Sequence, residues 1–310
     1  MTPKGHINSD RLFKFYFEWV LQTIPPANTS SSEKYSMCEL LGMSANVPTD
    51  ICFSFAGLSR RGGETGPHVD GWGIVFYEKS GVREFKDYKP SSRSNLSKFL
   101  SEYPIKSHTV ISHIRQANVG NVGLENTHPF QRELWGQAWS YAHNGQVPCA
   151  STLDNVRFSP IGTTDSERIF CWLMDSLAER FDAPPEPEVW AEYLSGLCES
   201  INTRGVFNLL LTNGNALFAF CSTKLCWITR RAPFGVAHLS DEDLSIDFSE
   251  VTTEHDIVTM IATQPLTHNE AWHTMVPGEC RLFVTGESVW DHKTTAVLHP
   301  SVELNSTTSK

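Results

Sequence analysis

Segments with the composition of β-strands occur in groups along this chain and do not alternate one for one with helices. Grouped strands favour antiparallel sheets packed against each other with helices outside, which predicts a fold of the α+β class. Asn213-Gly214 lies between two such segments and predicts a tight hairpin turn. The predicted strands are 38–45, 71–78, 107–115, 137–143, 205–212, 215–222, 256–263 and 280–286.

Four helices are predicted beside these strands. The third has the clearest start signal, because Thr164 and Glu167 form a capping box before the apolar run IFCWLM. No internal repeat with a fixed period is present in the sequence. The predicted helices are 50–60, 94–103, 165–181 and 186–202.

The size and charge of the chain limit its possible functions. Its 310 residues suffice for one large domain or two small ones. With 40% apolar and 19% charged residues, the composition is that of a globular protein and not of a disordered one. The formal net charge of -10 argues against general nucleic-acid binding, which requires a basic face.

The eight cysteines do not form a zinc motif. The chain contains no CxxC, and Cys221 with Cys226 has no matching His or Cys pair nearby. A secreted disulfide scaffold is shorter and richer in cysteine than this chain. We therefore expect a reducing, cytoplasmic location, with most cysteines acting as small core residues.

No motif indicates a metal, nucleotide or flavin cofactor. The glycine-rich segment 62–73 lacks the Lys-Ser/Thr of a phosphate-binding loop and the GxGxxG that opens a dinucleotide-binding helix. His108 and His113 are five residues apart, so on one strand they point to opposite faces. We therefore expect these histidines to be structural and no cofactor to be bound.

The two ends of the chain differ from its middle. Residues 12–24 are aromatic and apolar, but Lys14 and Glu18 interrupt them, and the stretch is shorter than the roughly 20 residues that cross a bilayer. We expect a short amphipathic helix on a Ser-rich linker within 1–37, and no membrane association. Residues 291–310 are polar and rich in Thr and Ser, which is typical of a loose tail.

Four short segments combine polar residues and glycines in the manner of an active-site rim. Taken singly, each has an ordinary reading as a core, surface, turn or helix-capping segment. The segments are 37–42 (MCELLG), 112–118 (SHIRQAN), 142–145 (AHNG) and 162–167 (GTTDSE).

Taken together and in order, these blocks resemble the glutaminase domain of class II glutamine amidotransferases, which are N-terminal-nucleophile (Ntn) hydrolases. The likeness is greatest to stand-alone members that carry no synthase domain. It extends from Met37 to about Glu287 and includes the blocks GPHVDGWGI, LENTHPF, WITRRAPFG and IATQPLT.

The resemblance implies a fold and a division of the chain. The fold would be a four-layer αββα sandwich, with two antiparallel sheets between helical layers. The amidotransferase domain would cover 38–290, preceded by an extension at 1–37 and followed by the tail at 291–310.

The resemblance also implies that Cys38 is the nucleophile. Its thiol would attack the side-chain amide carbon of glutamine, form a γ-glutamyl thioester and release ammonia. The base would be the free α-amine of the same cysteine. An α-amine has a pKa of about 7.7–8.0 and a thiol about 8.5, so a proton passes between them with little penalty near neutral pH.

Other residues acquire roles through the same resemblance. Asn144 and the backbone N–H of Gly145 match the family's oxyanion hole. Arg115 would pair with the α-carboxylate of the substrate, and Asp165 with its α-ammonium. The remaining pocket-wall candidates, for which a purely structural role fits equally well, are Gln116, Asn118 and the His-Pro-Phe segment 128–130.

The chain departs from the family pattern at its beginning. Cys38 follows 37 residues, and an amine blocked in a peptide bond cannot act as a base. Three explanations are open: translation starts at Met37, the extension is a propeptide that is removed, or it stays attached and the protein is inactive or regulatory. The intact sequence MCELLGM favours the first.

The leading hypothesis for function is hydrolysis of glutamine to glutamate and ammonia, which a separate synthase or acceptor protein would take up. One alternative is hydrolysis of another γ-glutamyl amide. The other is a non-catalytic glutamine-binding module, if the extension blocks Cys38. We expect neither a nucleic acid nor a membrane as a partner.

Overall fold

The computed structural model describes residues 38–117, 120–297 and 299. Most of its strands belong to two large sheets in which every pairing is antiparallel. The strands are β1 (Glu39–Thr49), β2 (Trp72–Glu78), β3 (Gly81–Asp87), β4 (Ser107–Ile114), β5 (Phe130–Leu134), β6 (Gln137–Gln146), β7 (Val206–Thr212), β8 (Ala216–Phe220), β9 (Cys226–Arg230), β10 (Val236–His238), β11 (Ser245–Asp247), β12 (Val258–Ala262), β13 (His273–Thr274), β14 (Glu279–Val284) and β15 (Glu287–Lys293).

The order of the strands brings distant parts of the chain side by side. The seven-stranded sheet has the order β13-β9-β12-β1-β4-β2-β3, so β1 lies near its centre between β12 and β4. The six-stranded sheet has the order β15-β14-β8-β7-β6-β5. Strands β10 and β11 form a separate two-stranded sheet.

The two large sheets pack face to face through small and branched apolar residues. Leu40 of β1 and Ala142 of β6 belong to the same buried cluster. Gly42 allows the close approach, because a Cβ atom there would lie only 3.1 Å from a methyl group of Leu217 and 3.2 Å from one of Leu210. A larger residue at position 42 would therefore push the sheets apart.

Four α-helices cover the outer faces of the sheets. They are α1 (Cys52–Arg60), α2 (Asn95–Glu102), α3 (Asp165–Arg180) and α4 (Pro187–Asn202). Phe55 of α1 and Leu100 of α2 share a buried cluster with Leu41 of β1. Phe170 of α3 and Trp190 of α4 pack into the core of the six-stranded sheet. This arrangement of helices, two sheets and helices confirms the predicted αββα sandwich.

The four predicted helices are confirmed with ends that differ by at most two residues. At the start of α3, the hydroxyl of Thr164 accepts a hydrogen bond from the backbone N–H of Glu167, at 3.2 Å. The Glu167 carboxylate does not return to Thr164 as in a full capping box. It accepts instead from the backbone N–H groups of Ile161 and Gly162, and it pairs with Arg132.

The hairpin between β7 and β8 is confirmed, but its turn is longer than a two-residue primed turn. Three residues separate the strands, and only Gly214 among them has a positive φ, of 89°. The side-chain oxygen of Asn213 accepts from the backbone N–H groups of Asn215 and Ala216. The turn is therefore closed by a side chain.

The prediction that the tail begins at 291 is wrong by three residues. Strand β15 continues to Lys293, because His292 and Lys293 pair with Cys280 and Glu279 of β14. The polar composition of this segment does not predict a strand, because an edge strand exposes one face to solvent and its side chains there can be polar. Residues 298 and 300–310 lie outside the described residues, as do 1–37 with the expected helix at 12–24.

Within the described part of the chain, no α-helix combines the length and the hydrophobicity that crossing a membrane would require.

Candidate active site

Cys38 lies directly before β1, at one end of the central strand of the seven-stranded sheet. Its Sγ atom is held by the backbone of Gln116, which follows the adjacent strand β4. The N–H of Gln116 donates to Sγ at 3.2 Å, and the thiol donates to the carbonyl oxygen of Gln116 at 3.4 Å. The antiparallel pairing of β1 with β4 thus fixes the position of the thiol.

Asp70 holds the segment that cradles this thiol, and the sequence analysis gave it no role. Its carboxylate accepts from the N–H of Ala117 at 2.8 Å, and its own N–H donates to the carbonyl of Arg115 at 3.1 Å. These two bonds lie on either side of Gln116. The signal was present in the sequence, because Asp70 belongs to the block GPHVDGWGI.

Burial raises the pKa of the Cys38 thiol to about 11. The hydrogen bond from the Gln116 backbone and the positive charge of Arg115 both act in the opposite direction, but they do not compensate for the loss of water. The thiol is therefore protonated at neutral pH. It needs a nearby base to become a nucleophile.

Asn144 of β6 reaches Cys38 from the other sheet. Its side-chain nitrogen donates to the carbonyl oxygen of Cys38 and, at 3.4 Å, to the hydroxyl of Thr263. The same hydroxyl accepts from the N–H of Leu40 at 2.9 Å. Thr263 follows β12, and it is a second residue that the sequence analysis left without a role, although the block IATQPLT contains it.

Two further contacts fix Asn144 and its neighbour. The side chain of Asn208 on β7 donates to the carbonyl of Asn144 at 3.1 Å. Gly145 has a φ of 149°, and a Cβ atom there would lie 2.0 Å from the carbonyl oxygen of Val206. Only glycine fits at this position, whatever its role in catalysis.

Arg115 is 3% exposed, and its positive charge lies close enough to Cys38 to lower the pKa of the thiol. Its guanidinium donates to the carbonyl oxygens of Asn121 at 3.2 Å and Gly120 at 3.4 Å. Burial lowers the pKa of this guanidinium, while Cys38 and Asp70 act in the opposite direction. Arginine has such a high intrinsic pKa that the group stays charged.

Asp165 is the first residue of α3 and is bound to the end of β6. One carboxylate oxygen accepts from the N–H of Val147 at 2.8 Å, and the other from the hydroxyl of Ser166 at 3.4 Å. Ser166 in turn is 2.8 Å from Nδ1 of His143. Asp165 thus links the helix to the strand that carries Asn144.

The predicted pocket-wall residues have different surroundings. Gln116 contacts Cys38 through its backbone, and its buried side-chain oxygen has no hydrogen-bond partner among the described residues. His128 packs against His113 with ring centroids 4.3 Å apart and ring planes tilted by 42°. Burial lowers the pKa of both imidazoles, so both are neutral. Asn118 lies outside the described residues.

The described residues contain no group of three or more His, Cys, Asp or Glu side chains that could hold a metal ion. His113 is buried, whereas His108 is exposed on the same strand. The interpretation of these two histidines as structural is therefore consistent with their positions. All eight cysteines are free.

A family model and the curated relatives of this chain indicate the same protein family. The family model described as "Glutamine amidotransferases class-II" matches residues 37–307. A curated protein of Escherichia coli (strain K12), "Putative glutamine amidotransferase YafJ", is 59% identical over 254 residues, which are 82% of this chain and 100% of that protein.

Solved structures agree with this likeness. A crystal structure described as a predicted glutamine amidotransferase from Pseudomonas aeruginosa PA01 has 50% sequence identity and a TM-score of 0.67, and the match covers 82% of this chain and 100% of that one. The glutamine phosphoribosylpyrophosphate amidotransferase of B. subtilis has 15% identity and a TM-score of 0.52, over 83% of this chain and 49% of that one. The second likeness supports the fold alone.

Proposed function

The chain belongs to the class II glutamine amidotransferase family, and we propose that it hydrolyses the side-chain amide of glutamine to glutamate and ammonia, with Cys38 as the nucleophile. One observation carries the proposal: the side-chain nitrogen of Asn144, from the six-stranded sheet, donates to the backbone carbonyl of Cys38, the residue whose thiol is held at the end of the seven-stranded sheet. A nucleophile beside a fixed hydrogen-bond donor is what acyl transfer requires.

The proposed reaction has two steps. The thiol adds to the side-chain amide carbon of glutamine and gives its proton, through the α-amine of Cys38, to the departing nitrogen. The carbon–nitrogen bond breaks, ammonia leaves and a γ-glutamyl thioester remains. Water then adds to the thioester with the same amine as base, which releases glutamate and restores the thiol.

Asn144 and the N–H of Gly145 would stabilise the oxyanion that forms in each step. In the structure, the amide nitrogen of Asn144 donates to the carbonyl oxygen of Cys38. A developing oxyanion carries more charge than this carbonyl, so we propose that the donor turns to the oxyanion as the substrate reacts.

The α-carboxylate and α-ammonium of the substrate would bind to Arg115 and Asp165. Arg115 is charged and adjacent to the thiol, which supports its role. Gln116 would form the floor of the site, and we retain Asn118 as a candidate for its wall. One oxygen of Asp165 is bound to Val147, so an ammonium would share this carboxylate with the backbone.

The base requires a free α-amine, and we propose that the active protein begins at Cys38 after removal of Met37. The family match covers residues 37–307, and a 254-residue match covers all of YafJ, which supports a catalytic unit that begins at 38 without the extension 1–37. The raised pKa of the thiol supports the same proposal, because a chain with a blocked amine lacks a base. We propose that such a chain binds glutamine without hydrolysing it.

We propose a cytoplasmic location and a separate acceptor for the ammonia. The free cysteines support a reducing compartment.

The test is the release of ammonia from glutamine by protein whose first residue is Cys38. We expect Cys38→Ala to abolish release, and Cys38→Ser to reduce it strongly because a hydroxyl is harder to ionise. Thermal unfolding of each variant serves as the control for folding. Release by Cys38→Ala at the rate of the parent protein would refute the mechanism.

A further inference from the structure

A second cavity, of about 800 Å³, opens beside the candidate active site. Its wall includes Glu39, the residue after Cys38, and Gln264, the residue after Thr263. Consecutive Cα atoms lie about 3.8 Å apart, so the wall begins one residue from Cys38 on β1 and one residue from Thr263 after β12. The ammonia that leaves glutamine does not need such a volume, which is in the range of ligand pockets.

The cavity lies on the side of Cys38 that is opposite to Arg115. In the sheet, β1 lies between β4, which leads to Arg115, and β12, which leads to Gln264 and the following cavity residues up to Trp272. A substrate whose α-carboxylate binds Arg115 therefore presents its side-chain amide carbon at Cys38 and its leaving group towards β12. The cavity is placed to receive that leaving group.

The wall is rigid where it meets β1. Arg61 is 6% exposed, and its guanidinium contacts the carboxylates of Glu39 at 2.9 Å and Asp241 at 2.8 Å. It also donates to the carbonyl oxygen of Pro265 at 2.8 Å. The side chain of Gln264 donates to Glu39 at 3.0 Å. A wall built from such bonds keeps its shape when no ligand is bound.

The charge of the wall favours a cation. Three carboxylates, those of Glu39, Asp241 and Glu270, line the cavity with the guanidinium of Arg61. Arg230, outside the wall, pairs with Glu270 at 2.6 Å, so the carboxylates exceed the guanidinium groups around the cavity by one. The indole of Trp272 adds an aromatic surface. An alkyl chain that ends in an ammonium group matches both features.

We propose that this cavity binds the amine part of γ-glutamyl amides that carry a cationic tail, and that such amides are better substrates than glutamine. The proposal rests on the proposed function of Cys38. The bond between the side-chain carbonyl carbon and the amide nitrogen breaks, the thioester forms, and the nitrogen leaves as a primary amine with the thiol proton. Water then releases glutamate, so no further reactant is needed.

The experiment compares three substrates: glutamine, the γ-glutamyl amide of butylamine and the mono-γ-glutamyl amide of 1,4-diaminobutane. Protein that begins at Cys38 and the full chain are assayed in parallel. We expect kcat/KM for the diamine derivative to exceed that for the butylamide, and for glutamine, by about tenfold or more, equivalent to about 1.4 kcal/mol. Asp241→Asn should reduce the ratio of diamine derivative to butylamide, whereas Asp243→Asn, two residues away and not in the wall, should not change it.

The outcomes separate the two proposals. If glutamine is hydrolysed as well as either amide, or the butylamide as well as the diamine derivative, the cavity proposal is overturned and the glutaminase proposal stands. If Cys38→Ala still hydrolyses all three, the proposed function itself fails. If Asp241→Asn unfolds, the comparison of kcat/KM for the three substrates of the parent protein still tests the cavity proposal.

Discussion

The side-chain nitrogen of Asn144 donates a hydrogen bond to the carbonyl oxygen of Cys38, although 106 residues separate them in the chain. The bond crosses from the six-stranded to the seven-stranded sheet, so the packing of the two sheets sets the distance between the candidate nucleophile and the candidate oxyanion donor. Any change that shifts one sheet against the other should therefore reduce activity before it unfolds the protein.

Replacing Asn144 tests the oxyanion role directly. We expect Asn144→Ala to lower kcat for glutamine about 10²–10³-fold, because one of two donors is lost. Steady-state kinetics measures the effect, with circular dichroism melting as the control. A fall in Tm with kcat unchanged would show that the residue only stabilises the packing of the two sheets.

Gly145 provides a prediction about stability. Gly145→Ala would place a methyl group 2.0 Å from the carbonyl oxygen of Val206, and we expect the free energy of unfolding to fall by about 2 kcal/mol or more. Gly196 is the matched control, since it lies in α4 and a Cβ atom added there would meet no neighbouring atom within 4 Å. Gly196→Ala should raise stability by roughly 0.5–1 kcal/mol. Urea unfolding measures the free energy of unfolding of both variants. Equal changes in the two variants would contradict this prediction.

Arg115 should act on binding more than on chemistry. Arg115→Lys keeps the charge but loses the planar two-point contact with a carboxylate. We expect KM for glutamine to rise about tenfold or more while kcat changes less. An unchanged KM in initial-rate measurements would remove Arg115 from the carboxylate site.

Asp70 should matter although it does not contact the thiol. In Asp70→Ala the N–H of Ala117, which is half-buried, loses its partner, and an unpaired donor costs up to about 1–3 kcal/mol when it is shielded from water. We expect the segment around Gln116 to shift and kcat/KM to fall, while Asp70→Asn, which keeps an acceptor oxygen, restores part of the loss. Equal activity in both variants would argue against a positioning role.

The pKa of Cys38 predicts how its reactivity depends on the α-amine. With a pKa of about 11, roughly one thiol in 10⁴ is ionised at pH 7. In the full chain, the rate at which iodoacetamide alkylates Cys38 should therefore rise about tenfold per pH unit from pH 7 to pH 10. In protein that begins at Cys38, it should already level off near pH 8–9, the range of a free α-amine and its thiol. Peptide mass spectrometry measures both, and a plateau near pH 8 in the full chain would contradict the assignment.

The grouped apolar runs of the sequence predicted antiparallel sheets with helices outside, because these are local patterns. The resemblance of its ordered motif blocks to a family singled out Cys38, Asn144 and Asp165, whose roles stay predictions. The sequence did not predict the bonds from Asp70 to Ala117, from Thr263 to Leu40 or from Asn208 to Asn144, since each joins segments that only the sheet register brings together. Edge strands such as β3 and β15 were missed for a related reason. Their pairing satisfies the backbone, so their side chains can be polar.

The central claim is that Cys38, as the first residue, carries the γ-glutamyl group during turnover. The most direct measurement is a peptide mass spectrum of protein from its native host that is mixed with glutamine and quenched in acid. The account predicts a peptide that begins at Cys38 and bears one γ-glutamyl group, and its absence in Cys38→Ala. Ammonia release with Cys38 unmodified, or with the extension 1–37 still attached, would contradict it.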